Sequence, residues 1–201
     1  MTAWEELRAK FLWPAACPNI DSGKHRGWLS DGTRDMLLRH CRDGMTVIEL
    51  GTWLGRSANM LLTRFPRVRV VCVDHWMESD EGSPELRTGE HLKYHDRMFD
   101  RFRTICWGHR DRIAPLKMLT VSGLLACADA GLRPDLIYVD ASHEYPDVRA
   151  DVTACLELFP GVQLVGDDWR LSGVKRAVNE LATTRNVQIE TNERAWAWPA
   201  A

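Results

Sequence analysis

No run of eighteen apolar residues occurs in the 201-residue sequence, so nothing in it predicts a membrane-spanning helix. Met1 to Lys10 mixes acidic and basic side chains where a secretory leader needs an uninterrupted apolar stretch. Both absences predict a soluble, cytoplasmic protein with no membrane partner. Charge of one sign is also missing: 26 basic and 28 acidic residues are interspersed and leave a formal charge of -2, which implies no broad cationic face and no nucleic-acid partner. The six cysteines, at positions 17, 41, 72, 106, 127 and 155, form no C-x-x-C pair and read as reduced, mostly buried thiols. Neither an internal repeat nor a G-x-G-x-x-G dinucleotide fingerprint is present.

What is present suits one α/β domain over residues 1–201. A hydrophobic content of 45% is enough for one sizeable core. Short apolar runs at Thr46–Leu50, Val68–Val73, Ile113–Leu116, Leu136–Val139 and Gln163–Val165 predict central strands. Helical patterns lie between them at Arg56–Arg64, Val121–Ala130, Pro146–Leu158 and Gly173–Thr183. This rhythm predicts a Rossmann-like, doubly wound, mostly parallel sheet with helices on both faces. Val187–Glu190 and Arg194–Trp198, flanking Thr191-Asn192-Glu193, predict a closing antiparallel hairpin at the sheet edge. Two segments stand outside the alternation. Residues 1–40 contain Trp4, Trp13 and Trp28, which fit either a cap or plain core anchors, the latter being the commoner use. Residues 77–112 form a polar connection long enough to be a lid, with its own helix around His91 to Phe102.

The sharpest local signal is Val47-Ile48-Glu49-Leu50-Gly51-Thr52-Trp53-Leu54-Gly55-Arg56-Ser57, a strand entering a glycine-bearing turn and then a helix. Gly51 and Gly55 permit a sharp bend and a close approach to a ligand, and the helix start offers free N–H groups. One β-α unit later, Asp74 ends a strand where it can accept hydrogen bonds from two ribose hydroxyls. Each feature alone is commonplace, since glycine turns connect and strand-end aspartates cap helices. In this combination, over about Gly44 to Leu181, the sequence resembles the class I methyltransferases. That resemblance implies S-adenosylmethionine as cofactor, with Glu49, Gly51, Gly55 and Ser57 around its methionine part and Asp74 on the ribose. His75 and Trp76 would then lie near the adenine, with Met118 and Thr120 on its other side, although a core methionine and a helix-capping threonine explain the last two equally well.

A second stretch, Asp135-Leu136-Ile137-Tyr138-Val139-Asp140-Ala141-Ser142-His143, ends a strand in an acid with a histidine three residues on. Asp167-Asp168 ends the next strand. Parallel neighbours lie about 4.8 Å apart, so three carboxylates can converge, and protonation, solvent or a cation must offset their repulsion. An all-oxygen set suits a hard ion such as Mg²⁺. The plainer reading makes Asp168 a helix cap and Asp140 a solvated turn residue. From Asp135 to Val178 the chain resembles small metal-dependent O-methyltransferases of the macrocin type, in which the positions of Asp140, Asp167 and Asp168 bind the metal. Mg²⁺ is then expected, with Mn²⁺ as the alternative. This chain has Ser142 where that pattern carries a second acid, which leaves His143, an imidazole titrating near neutrality, as the candidate general base.

The expected activity is metal-assisted methyl transfer to a hydroxyl of a sugar or glycoside, with His143 and Asp140 as catalytic groups. Oxygen is favoured because an alcohol is a poor nucleophile that needs a Lewis acid, whereas nitrogen, sulfur or carbon acceptors do not. A catechol-like phenol is the nearest alternative acceptor. His91, His95, Arg97 and Arg101 in the long connection incline the reading towards carbohydrate, though such charge commonly marks only a solvated face. A nucleotide-binding Rossmann-like protein without methyl transfer is the competing class. The expected partner is a small-molecule or glycan acceptor, and a homo-oligomer is compatible with the sequence.

Overall fold

The computed structural model describes residues 1–20, 27–76 and 97–200. The described chain runs α1 (Ala3–Lys10), α2 (Asp31–His40), β1 (Thr46–Leu50), α3 (Arg56–Arg64), β2 (Arg69–Asp74), α4 (Met98–Cys106), a 3₁₀ turn (Trp107–Arg112), β3 (Ile113–Lys117), α5 (Thr120–Asp129), β4 (Leu136–Val139), α6 (Tyr145–Leu158), β5 (Gln163–Gly166), α7 (Ser172–Arg185), β6 (Glu190–Thr191) and β7 (Trp196–Trp198). The seven strands form one sheet in the order β3-β2-β1-β4-β5-β7-β6. Strands β3 to β5 of that row are parallel, and β7 and β6 are antiparallel additions. The expected doubly wound α/β sheet is therefore present, with its antiparallel pair at one edge.

Alternation along each strand divides the interior in two. Ile48, Leu50, Val71, Val73, Ile137 and Val139 face one layer, where α1, α5, α6 and α7 contribute Trp4, Leu7, Leu124, Val152 and Val178. Val47, Val70, Cys72, Leu136 and Tyr138 face the other, beneath Met36 and Leu37 of α2, Leu61 of α3 and Phe102 of α4. The two N-terminal helices thus lie on opposite faces of the sheet. Of the three N-terminal tryptophans, Trp4 is a buried core anchor and Trp13 packs against Phe102 and Trp107. Trp28 instead remains 58% exposed, its ring 5.1 Å from that of Trp53.

The terminal hairpin is shorter than the sequence suggests. Helix α7 continues to Arg185 and ends in left-handed Asn186 (φ 52°), which turns the Val187 amide back onto the Ala182 carbonyl. Val187 to Ile189 are taken up in leaving the helix, and only Glu190 and Thr191 pair with β7. Within the expected lid, residues 77–96, including His91 and His95, lie outside the described residues. Its described helix begins at Met98 and runs on to Cys106. Among the described residues, no helix is long and apolar enough to cross a membrane.

The chain leaves β1 towards β2 and β3 on one side and returns through β4 to β5 on the other. Between β1 and β4 the winding reverses, and at such a reversal the carboxyl ends of the strands part into a crevice. The two loops nonetheless meet there. Gly51 has φ +84°, and a Cβ on it would stand 2.0 Å from the carbonyl oxygen of Asp140.

Candidate active site

A cleft of about 900 Å³ occupies this crevice. Its walls include Gly51, Ser57, Asp74, His75, Met118, Thr120, Asp140, His143, Asp167 and Asp168, so ten of the positions singled out from the sequence border one space. Glu49, Gly55 and Trp76 lie beneath it instead. A Cβ on Gly55 would meet Cys106 Sγ at 2.6 Å and Phe102 at 2.9 Å, so this glycine admits helix α4 rather than a ligand. Trp76 is buried against Phe99 and Phe102, and its indole N–H donates to the Trp53 carbonyl at 2.7 Å.

Asp74 organises the end with the glycine turn. One carboxylate oxygen accepts the Trp53 amide and the other the Trp76 amide, each at 2.7 Å. Trp53 is thereby held in the left-handed region (φ 46°), a conformation that β-region preferences in the sequence do not announce. Each oxygen of Asp74 keeps a further lone pair for a donor in the cleft. A carboxylate on the wall, a turn running into the start of α3, and Met118 and Thr120 opposite fit a nucleoside with a charged tail. Among the described residues, Asp74, Gly51, Ser57 and Met118 would hold S-adenosylmethionine.

Glu49 supports the turn from below. It is fully buried, accepts hydrogen bonds from the hydroxyls of Ser57 and Thr52, and has Cys72 beside it. Burial pushes its carboxyl up to about 7 from 4.5, against the opposing effect of the Ser57 and Thr52 hydrogen bonds. A raised acid favours the folded state while protonated, and this contribution is complete below about pH 4.5 and lost as pH rises through about 7. The shift corresponds to about 3 kcal/mol. Glu49→Gln should therefore flatten the stability profile between pH 5 and 8, measured by urea unfolding. An unchanged pH slope would contradict the burial of this charge.

At the other end, Tyr138 donates its hydroxyl to Asp140 at 2.8 Å, and His143 Nε2 lies 2.7 Å from Asp168 Oδ2. Burial, then the charge of Asp167, raises Asp140 well above the ordinary carboxylate range. The Asp168 hydrogen bond raises His143. One donor atom each from Asp140, His143 and Asp168 lie within 4.8 Å of one another. The third member of this group is His143, where the sequence suggests Asp167, which also borders the cleft. Asp167 Oδ1 accepts the Thr33 hydroxyl at 2.5 Å and the Asp168 amide at 2.7 Å. Asp168 itself has φ 55°, so the two consecutive acids are aimed differently. Asp140 and Asp168 offer carboxylate oxygens that fit a hard divalent cation, and His143, hydrogen-bonded to Asp168, stands beside them.

Thr120 donates to Asp151 of α6 rather than capping its own helix, and burial holds Asp151 up at about 6. Sequence reasoning missed Trp53, Arg56, Arg170 and Arg194 and read Trp28 only as a cap or core residue, whereas all five lie on the cleft wall. Only Trp53 and Arg56 lay inside a recognised motif, and nothing local marks the other three.

A doubly wound sheet with this strand order, a glycine turn after β1, an acid ending β2 and a cleft at the reversal point defines a class I methyltransferase. A family model described as a methyltransferase domain matches residues 48–169, and the chain belongs to this family. No curated protein matches it. Among similar solved structures, an O-methyltransferase from Bacillus cereus in complex with SAH is 17% identical, with a TM-score of 0.55 over 98% of this chain and 97% of that one. CalS11, a TDP-rhamnose 3'-O-methyltransferase of calicheamicin biosynthesis, is 13% identical, with a TM-score of 0.55 over 83% and 76%. A precorrin-8w decarboxylase from Methanobacterium thermoautotrophicum is 12% identical, with a TM-score of 0.60 over 87% and 92%. Identities this low establish the shared fold and leave the reaction to the site.

Proposed function

We propose that the protein transfers the methyl group of S-adenosylmethionine to a hydroxyl oxygen of a sugar or glycoside, with a divalent cation held by Asp140 and Asp168. The observation that carries this reading is the convergence of Asp140, His143 and Asp168 on the wall of the cleft that also contains Asp74 and Gly51. When bound, the sulfonium supplies the methyl electrophile and the cation the Lewis acidity that makes a hydroxyl easier to ionise. The chain itself does the rest. Asp74 and the turn after β1 fix the cofactor, so that the transfer proceeds between positioned partners. Asp168 accepts the N–H at His143 Nε2, which leaves Nδ1 as the nitrogen that takes the hydroxyl proton. Tyr138 and the Asp167 contacts with Thr33 and the Asp168 amide hold the two ligating carboxylates in place. Trp28, exposed at the cleft, offers a flat apolar surface to the C–H face of a sugar ring.

The reading is tested with a labelled methyl donor against a panel of glycosides, with catechol as the phenol arm. Label in a glycoside is expected. Label only in catechol would replace the acceptor, and failure to bind S-adenosylhomocysteine would remove the activity altogether. EDTA treatment should reduce turnover at least about 100-fold, with recovery on adding Mg²⁺ or Mn²⁺. Undiminished turnover in EDTA would leave a His143–Asp168 pair acting without a cation and refute the metal.

A further inference from the structure

Beside the cleft opens a second cavity, about 550 Å³, lined by Trp169, Arg170, Lys175, Asn192, Glu193 and Arg194. Arg170 and Arg194 line both spaces, so they stand where the cleft passes into the groove. Three cations face one carboxylate, Glu193, in the groove, while Asp167 and Asp168 lie on the cleft side. Among the described residues, neither arginine nor Lys175 is engaged in an ion pair. Lys175 Nζ rests 5.5 Å from the centre of the Trp169 ring.

The groove is built rather than incidental. The Trp169 amide donates to the Arg194 carbonyl at 2.8 Å, tying the turn after β5 to the β6–β7 hairpin. Asn192 Oδ1 accepts the amides of Arg194 and Ala195, and its side-chain nitrogen donates to the Gly32 carbonyl at 3.0 Å. Gly32 leaves room for the stem of Arg194, since a Cβ there would lie 3.2 Å from Arg194 Cβ. Both arginines therefore rise from an anchored backbone, which lowers the entropy lost when they grip a ligand.

We propose that the acceptor is a phosphate ester whose hydroxyl enters the cleft while its phosphate or diphosphate lies in the groove, held by Arg170, Arg194 and Lys175. Planar guanidinium groups bind phosphate oxygens in pairs, and a remote anion so held fixes the reacting hydroxyl without touching the cofactor. This inference rests on the proposed hydroxyl transfer and names the chemistry of its acceptor.

The test is calorimetry on the full chain saturated with S-adenosylhomocysteine, titrated with inorganic pyrophosphate, UDP and uridine, before and after EDTA treatment. Pyrophosphate and UDP should bind and uridine should not, and Arg170→Gln and Arg194→Gln should each weaken both anions about tenfold with S-adenosylhomocysteine affinity unchanged. Binding of pyrophosphate without UDP would indicate a site for a terminal phosphate ester; equal binding would favour a nucleotide-linked acceptor. Absence of anion binding, anion binding indifferent to both substitutions, or its loss in EDTA would each overturn the proposal. A chain that fails to bind S-adenosylhomocysteine fails the methyl-transfer reading instead, so the two failures are separable.

Discussion

Asp168→Asn should lower turnover at least about 100-fold while leaving the affinity for S-adenosylhomocysteine within a factor of three. The substitution is chosen for its backbone. Asp168 sits at φ 55°, a left-handed conformation that asparagine adopts readily, so the turn after β5 should survive and only the charge is removed. That charge holds His143 Nε2 and is one of the three converging donors. The proposed cofactor positions, Asp74 at the end of β2 and Gly51 just after β1, should not register the change. Turnover assays beside calorimetry decide it, and wild-type activity in the variant would remove Asp168 from both the base and the cation.

The opposite pattern is expected of Asp74→Ala, for which S-adenosylhomocysteine should bind at least about 100-fold more weakly. Two charge-assisted hydrogen bonds to ribose hydroxyls, at about 1.5 to 3 kcal/mol each, supply that loss. A structural cost accompanies it, because Asp74 accepts the amides of both Trp53 and Trp76. Unfolding in urea should show a loss of about 2 kcal/mol from the two orphaned donors. Affinity within threefold of the wild type would show that Asp74 serves only the turn.

Much of this arrangement was legible beforehand, for physical reasons. Strands β1 and β4 and helix α3 fall on the expected residues, and the other parallel strands and their helices within one or two, because buried parallel strands carry unbroken apolar runs with clear helix signals between them. The hairpin was overdrawn because Val187 and Ile189 have strand-forming side chains, while the left-handed helix end at Asn186 that claims the intervening chain leaves little trace in the sequence. The carboxylate group was half legible. Strand ends told which residues approach the crevice, but the aim of Asp167 and Asp168 depends on one torsion at Asp168 and on Thr33, a partner far off in the chain. The place of Trp28, Arg170 and Arg194 on the cleft was not legible because loops distant in sequence bring them there.

The contact between Gly51 and the Asp140 carbonyl bears on how such an enzyme diversifies. No side chain of any kind fits at 51 while β1 and β4 keep their spacing, so the centre of the site is closed to incremental change. Variation is left to the periphery, where residues 27–30, Arg170 and Arg194 come from segments that do not form the parallel core. A library randomised at those rim positions should yield altered acceptor preference, whereas one randomised at 51 should return only glycine.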